Sequence, residues 1–132
     1  RAAHIENLKR PTLEAGADVI CDRFVEARYA YQGGGRGIPP ERIKALDAWV
    51  LGMLQPDCVV VFDLPPALGL KRTERRGDQN RFEAESLAFL ERVRQTNLSR
   101  AREAPERYRI IDASLTMQDV QTQLTNVLEE FL

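Results

Sequence analysis

Three short apolar runs, each broken by an aspartate, set most of what this chain can become. Ala17 to Cys21 (ADVIC) stops at Asp22, Asp57 to Leu64 (DCVVVFDL) carries Asp63 near its end, and Tyr108 to Ile111 (YRII) stops at Asp112. Each is too short for a helix; the first, apolar and β-branched with an abrupt end, reads as a strand buried on both faces, the second is the clearest strand of the chain and the last a third short one. Helical patterns lie between them. Residues 1–15 read as a helix bent or ended near Pro11 and stopped at Gly16. Pro39-Pro40-Glu41 opens a second, with Ile43, Leu46, Val50, Met53 and Leu54 on one stripe. Pro65-Pro66 leads into a third, whose basic run Lys71, Arg72, Arg75, Arg76 ends at Gly77. A long helix follows from about Arg81, with Phe82, Phe89, Leu90 and Val93 inward. The last carries Met117, Val120, Leu124, Val127, Leu128 and Phe131 at a 3.6 period, with Thr116 and Asp119 spaced as a capping pair. This alternation predicts an α/β fold, a parallel sheet with right-handed crossovers and flanking helices. Ligands collect at the carboxyl ends of such strands, which directs attention to Asp22-Arg23, Asp63 and Asp112-Ala113.

Composition narrows the function. The chain has 132 residues, 43% hydrophobic, enough for a core, and a formal net charge of −1 excludes a generally basic coat for nucleic acid. Its apolar runs fall far short of the roughly 18 residues that span a bilayer, so neither nucleic acid nor membrane is an expected partner. Cys21 and Cys58 sit on apolar runs and read as reduced core thiols of a cytoplasmic protein. His4 is the only histidine, which leaves no histidine-based triad, zinc cluster or acid–base pair. Trp49 reads as a core or interface residue. Neither a GxxxxGK[ST] loop nor a GxGxxG fingerprint occurs. Of nineteen basic residues only Lys9, Lys44 and Lys71 are lysine, and arginine's planar fork suits phosphate oxygens.

Three stretches can carry chemistry. An acid directly after a buried strand, as Asp22 is, suits a magnesium-bound water, and Arg23 beside it can take a phosphate bidentately; a strand-end salt bridge is the plainer reading. In Tyr31-Gln32-Gly33-Gly34-Gly35-Arg36-Gly37, the glycines let the backbone approach a ligand or turn sharply, beside a stacking face and an amide; a flexible loop is the alternative. Arg72 and Arg76 form an i,i+4 pair flanked by Arg75, with Arg81 beyond. That is either a solvated basic face or an arginine-bearing lid over transferring phosphates.

In this order and with this spacing, Asp22-Arg23-Phe24, Tyr31 to Gly37, Phe62-Asp63-Leu64-Pro65, Gly69-Leu70-Lys71-Arg72, Arg76-Gly77, Arg81-Phe82-Glu83 and Ile111-Asp112-Ala113 resemble the bacterial thymidylate kinases (dTMP kinases). The resemblance covers essentially the whole chain, and the YQGGGRG run is its most specific part. It implies a P-loop nucleoside-monophosphate-kinase fold, with residues 1–132 supplying the acceptor-binding, lid and C-terminal parts of a single kinase domain. It implies transfer of the γ-phosphoryl group of ATP to dTMP, giving dTDP and ADP, with Mg2+ entering alongside ATP as co-substrate, and a homodimer. By that resemblance Arg1 and Arg23 hold the dTMP phosphate, and Tyr31 and Gln32 line the deoxyribose and base pocket. Arg28 stands where the family usually has a small hydroxyl or amide residue facing the thymine edge, and so counts with the substrate-binding residues. Arg72, Arg76 and Arg81 are the catalytic lid arginines, Asp22 lies near magnesium through water, and Asp112-Ala113 leads into the loop beside adenine. A related kinase of the same fold acting on another nucleoside or nucleotide, and a non-catalytic nucleotide-binding module, are the competing readings.

The family's phosphate-cradling loop and its first two strands precede the position of Arg1. A further N-terminal segment is therefore expected, and these residues alone are expected to be inactive. The family's first strand lies between the strands read at 17–21 and 58–64. Without it they stand about 10 Å apart, twice the usual spacing, and the sheet is not expected to hold.

Overall fold

A computed structural model describes residues 5–77 and 86–132. Two of the three expected strands form. β1 (Val59–Asp63) and β2 (Tyr108–Asp112) pair in parallel, in a register running from Val59 opposite Tyr108 to Asp63 opposite Asp112. The third, at 17–21, is not a strand. Strand geometry persists only where a neighbour takes its amides and carbonyls, and β1 and β2 pair with each other alone among the described residues. Ile20 consequently stands 99% exposed. The core placement expected of Cys21 fails with it. Cys21 is exposed and accepts a hydrogen bond from Lys9 Nζ at 2.8 Å, while Cys58 is half-buried; both are free thiols.

The helices follow their signals more closely. A π-helical turn (Ile5–Lys9) runs into α1 (Arg10–Glu14), with Pro11 in its first turn where a missing N–H costs nothing. α2 (Pro40–Leu51) and α3 (Pro66–Arg76) also start on prolines. α3 stops at Gly77, whose φ of +73° a side chain would resist. α4 (Leu87–Glu103) is capped by Ser86 Oγ, which accepts from Phe89 N at 3.1 Å; the expected start near Arg81 and Phe82 lies outside the described residues. α5 (Met117–Phe131) has the anticipated cap, Thr116 Oγ1 accepting from Asp119 N and donating to Asp119 Oδ2 at 2.6 Å. Its apolar stripe is only partly used. Val120, Leu124 and Val127 are half-buried, but Met117, Leu128 and Phe131 are exposed, because α5 packs mainly on β2.

The element that pattern reading did not resolve is a π-helix over Arg28–Gly35, which includes the tyrosine, glutamine and triple glycine. π-turns are rare and cluster at functional sites. This one lies along α4, and the glycines make that approach feasible. A Cβ on Gly34 would fall 1.8 Å from Thr96 Oγ1 and 3.0 Å from the Arg92 carbonyl oxygen, and one on Gly35 would fall 2.5 Å from the Phe89 ring. The backbone approaches a helix here. Ala30, Phe89 and Val93 form the core beneath it, with Leu90 packed alongside. A second cluster joins Ile5, Val25 and Leu51; α2 buries Ile43, Asp47 and Leu51 and turns Leu46 and Trp49 outward, with Met53 exposed just beyond it. At 85% exposure Trp49 is no core residue.

Candidate functional site

The carboxyl end of the sheet brings two of the three expected positions together. Asp63 and Asp112 face each other in the register, and Ala113 N donates to the Asp63 carbonyl at 2.9 Å. Asp112 Oδ1 accepts from the Ser114 hydroxyl at 2.5 Å and from Ser114 N at 2.9 Å, and these bonds hold its carboxyl below the ordinary carboxylate range. Arg72 reaches across from α3. Its guanidinium donates to the carbonyls of Ala113 (2.6 Å), Ser114 (2.9 Å) and Leu115 (3.3 Å). Three carbonyls aimed at one cation fix the turn after β2, so Arg72, which the resemblance counts among the catalytic lid arginines, here joins the helix to the loop. An open groove of about 620 Å³ beside it is lined by Leu68, Lys71, Arg72, Glu74 and Arg75.

Asp63 has a partner that the sequence did not announce. Arg94 of α4 grips it bidentately, Nε to Oδ1 at 2.7 Å and Nη2 to Oδ2 at 3.0 Å, and those bonds raise the arginine's affinity for its proton further. The two residues lie 31 positions apart, beyond the reach of any helix or strand periodicity.

A second group of side chains gathers around Arg23 and Tyr31. Arg23 has a φ of +55°, the only non-glycine in the left-handed region among the described residues, a conformation costing about 1–2 kcal/mol. That turn directs its guanidinium to 5.9 Å from the Tyr31 ring, which in turn lies 6.2 Å from Phe89. Gln32 is exposed next to it. Asp22 is exposed as well, and no group of three or more acidic, histidine or cysteine ligands occurs among the described residues. Arg28 is committed elsewhere: its Nη1 meets Asp47 Oδ1 at 2.6 Å, the two side chains being 13% and 9% exposed. Arg1 and Arg81 lie outside the described residues. Arg76 closes α3, and its side chain also lies outside them.

Behind this segment is a polar cluster that sequence reading missed. Glu26 Oε1 accepts from the Tyr108 hydroxyl at 3.0 Å and lies 3.7 Å from Arg100 Nη2, while the Arg100 guanidinium sits 3.7 Å from the centre of the Tyr29 ring. Burial, then the negative Asp47, push the Tyr29 hydroxyl up. Burial, then the Glu26 carboxylate, push Tyr108 up to about 12. Because Tyr108 keeps its proton longer folded than unfolded, the stability it confers is complete below the unfolded value near 10 and is lost as pH rises through about 12. Alkaline unfolding is therefore expected to steepen between those values in wild type and to flatten there in Tyr108→Phe. Identical profiles in urea titrations would contradict this.

Parallel strands joined through helices, with two aspartates and an arginine-clamped turn at their carboxyl ends, make an α/β protein built like the nucleoside-monophosphate kinases. A family model described as thymidylate kinase matches residues 1–124. The chain belongs to the thymidylate kinase family. It is 51% identical over all 132 residues to a thymidylate kinase of Pseudomonas syringae pv. tomato, and spans 63% of that protein's length. It is 50% identical to one of Pseudomonas putida W619, spanning 64%. The crystal structure of thymidylate kinase from Ehrlichia chaffeensis superposes with a TM-score of 0.74 at 26% identity, covering 97% of this chain and 58% of that one.

Proposed function

We propose that the protein carrying this chain is a thymidylate kinase, moving the γ-phosphoryl group of MgATP to dTMP and releasing dTDP and ADP, a step toward dTTP. The observation that carries this reading is the meeting of Arg23, held at a strained φ, with the Tyr31 ring, eight residues further on. A cation beside an aromatic face is what a nucleoside monophosphate needs: a fork for the phosphate and a surface for the sugar and base. In the reaction an acceptor phosphate oxygen forms a bond to Pγ while the bond from Pγ to the bridging oxygen of ADP breaks, and magnesium enters with ATP as part of the substrate. Arg23 and Arg1 take the dTMP phosphate, Tyr31 and Gln32 the nucleoside, and Arg76 and Arg81 the developing charge. Asp22 lies near the metal's water shell, and the turn from Asp112-Ala113, held by Arg72, borders the adenine. Free thiols at Cys21 and Cys58 accord with a cytoplasmic location. Leu46, Trp49 and Met53, exposed along and just beyond α2, supply an apolar face for a homodimer.

The test is coupled ADP release by the full-length protein across dTMP, dUMP, dCMP and dAMP. Preference for dTMP is expected; preference for another acceptor assigns a related kinase. Arg23→Ala is expected to raise KM for dTMP on the order of 10- to 100-fold, the loss of a charge-assisted contact of about 1.5–3 kcal/mol. An unchanged KM would remove Arg23 from the phosphate site.

A further inference from the structure

The π-helix carrying Tyr31 and Gln32 is anchored at both ends to one rigid element. At its C-terminal end, Gly34 and Gly35 lie against α4, and Arg92 Nη2 donates to the Gly35 carbonyl at 3.1 Å. At its N-terminal end the holding residue is Arg100, eight positions further along the same helix. One face of its guanidinium covers Tyr29, and its Nη2 points toward the Glu26 carboxylate. Glu26 is fixed from a third element, because the same Oε1 accepts from Tyr108, the buried first residue of β2.

A half-buried ion pair at 3.7 Å contributes little by itself. A planar cation stacked on one ring while sharing a carboxylate with a buried hydroxyl orients the groups it touches. The residues so oriented, Glu26 and Tyr29, stand five and two positions before Tyr31 of the acceptor face. We infer that Arg100 is a positioning residue for the acceptor nucleotide: without touching it, it sets the placement of Tyr31 and Gln32 through Glu26 and Tyr29. The identity of that nucleotide rests on the thymidylate kinase reading.

The experiment compares wild type, Arg100→Gln and Tyr108→Phe in the full-length protein. Steady-state kinetics are expected to show KM for dTMP raised about tenfold in Arg100→Gln, with KM for ATP unchanged and kcat within about twofold. Tyr108→Phe, which removes only the hydroxyl that steadies Glu26, is expected to shift KM for dTMP the same way by a smaller factor. It carries the kinetic test if the arginine variant does not fold. A purely structural role would lower the active fraction, and so the apparent kcat, leaving both KM values in place. That pattern, or a wild-type KM for dTMP in both variants, overturns the inference. Amide exchange of the unliganded proteins separates it from the functional reading. Faster exchange over residues 26–35 in Arg100→Gln, with α5 unaltered, supports the positioning role even if wild type turns over no dTMP. Equal protection over 26–35 overturns it whatever the activity.

Discussion

Gly34→Ala is expected to destabilise the protein by about 3 kcal/mol or more, the upper end of what overpacking costs. The added methyl would stand 2.9 Å from Thr96 Cβ and 3.0 Å from the Arg92 carbonyl oxygen, besides 1.8 Å from Thr96 Oγ1. The hydroxyl can rotate away, but the Cβ and the carbonyl belong to α4 and cannot without moving the helix. Relief requires the π-helix to lift from α4, which strips cover from Ala30, Phe89 and Val93. Gly33→Ala is the internal control. Its nearest neighbour is the flexible Cδ1 of Ile43 at 3.2 Å, so a change below about 1 kcal/mol is expected. Urea midpoints of the two variants decide the matter. Equal shifts would mean that the run is not held by helix contact.

The second large effect is expected at Arg28. Arg28→Met removes the cation 2.6 Å from Asp47, a residue only 6% exposed, and breaking a buried pair from one side costs about 3–5 kcal/mol. The double variant Arg28→Met/Asp47→Leu is expected to recover most of that loss, since two apolar groups of similar volume leave no buried charge. If the single variant is as stable as wild type, the pair does not hold the acceptor segment to α2. If the double variant is as unstable as the single, packing rather than charge is responsible. The guanidinium that the resemblance sets beside the thymine edge is tied to a helix by a carboxylate nineteen residues away.

That contrast runs through the molecule. The β1 and β2 runs, the proline-opened helices, the Thr116 cap and the left-handed stop at Gly77 were legible because each signal and its consequence lie within a few residues. The YQGGGRG motif and its distance from Arg23 were legible for the same reason, and they led to the family. The run at 17–21 misled because β-branched residues state a preference for extended backbone but cannot supply the neighbouring strand that makes it a sheet. The triple glycine suggested ligand approach, and only the placement of Thr96 and Phe89 revealed that a helix comes that close.

The chain's own order of residues determined its α/β alternation, where its helices begin and stop, and which motif marks its family. Tertiary structure alone decided what each arginine does: Arg72 on three carbonyls, Arg94 on Asp63, Arg28 on Asp47, Arg100 over Tyr29. The reason is physical. Helix and strand preferences are settled by near neighbours along the backbone, whereas a long cationic side chain takes whichever anion, carbonyl or ring the folded chain carries to it from tens of residues away.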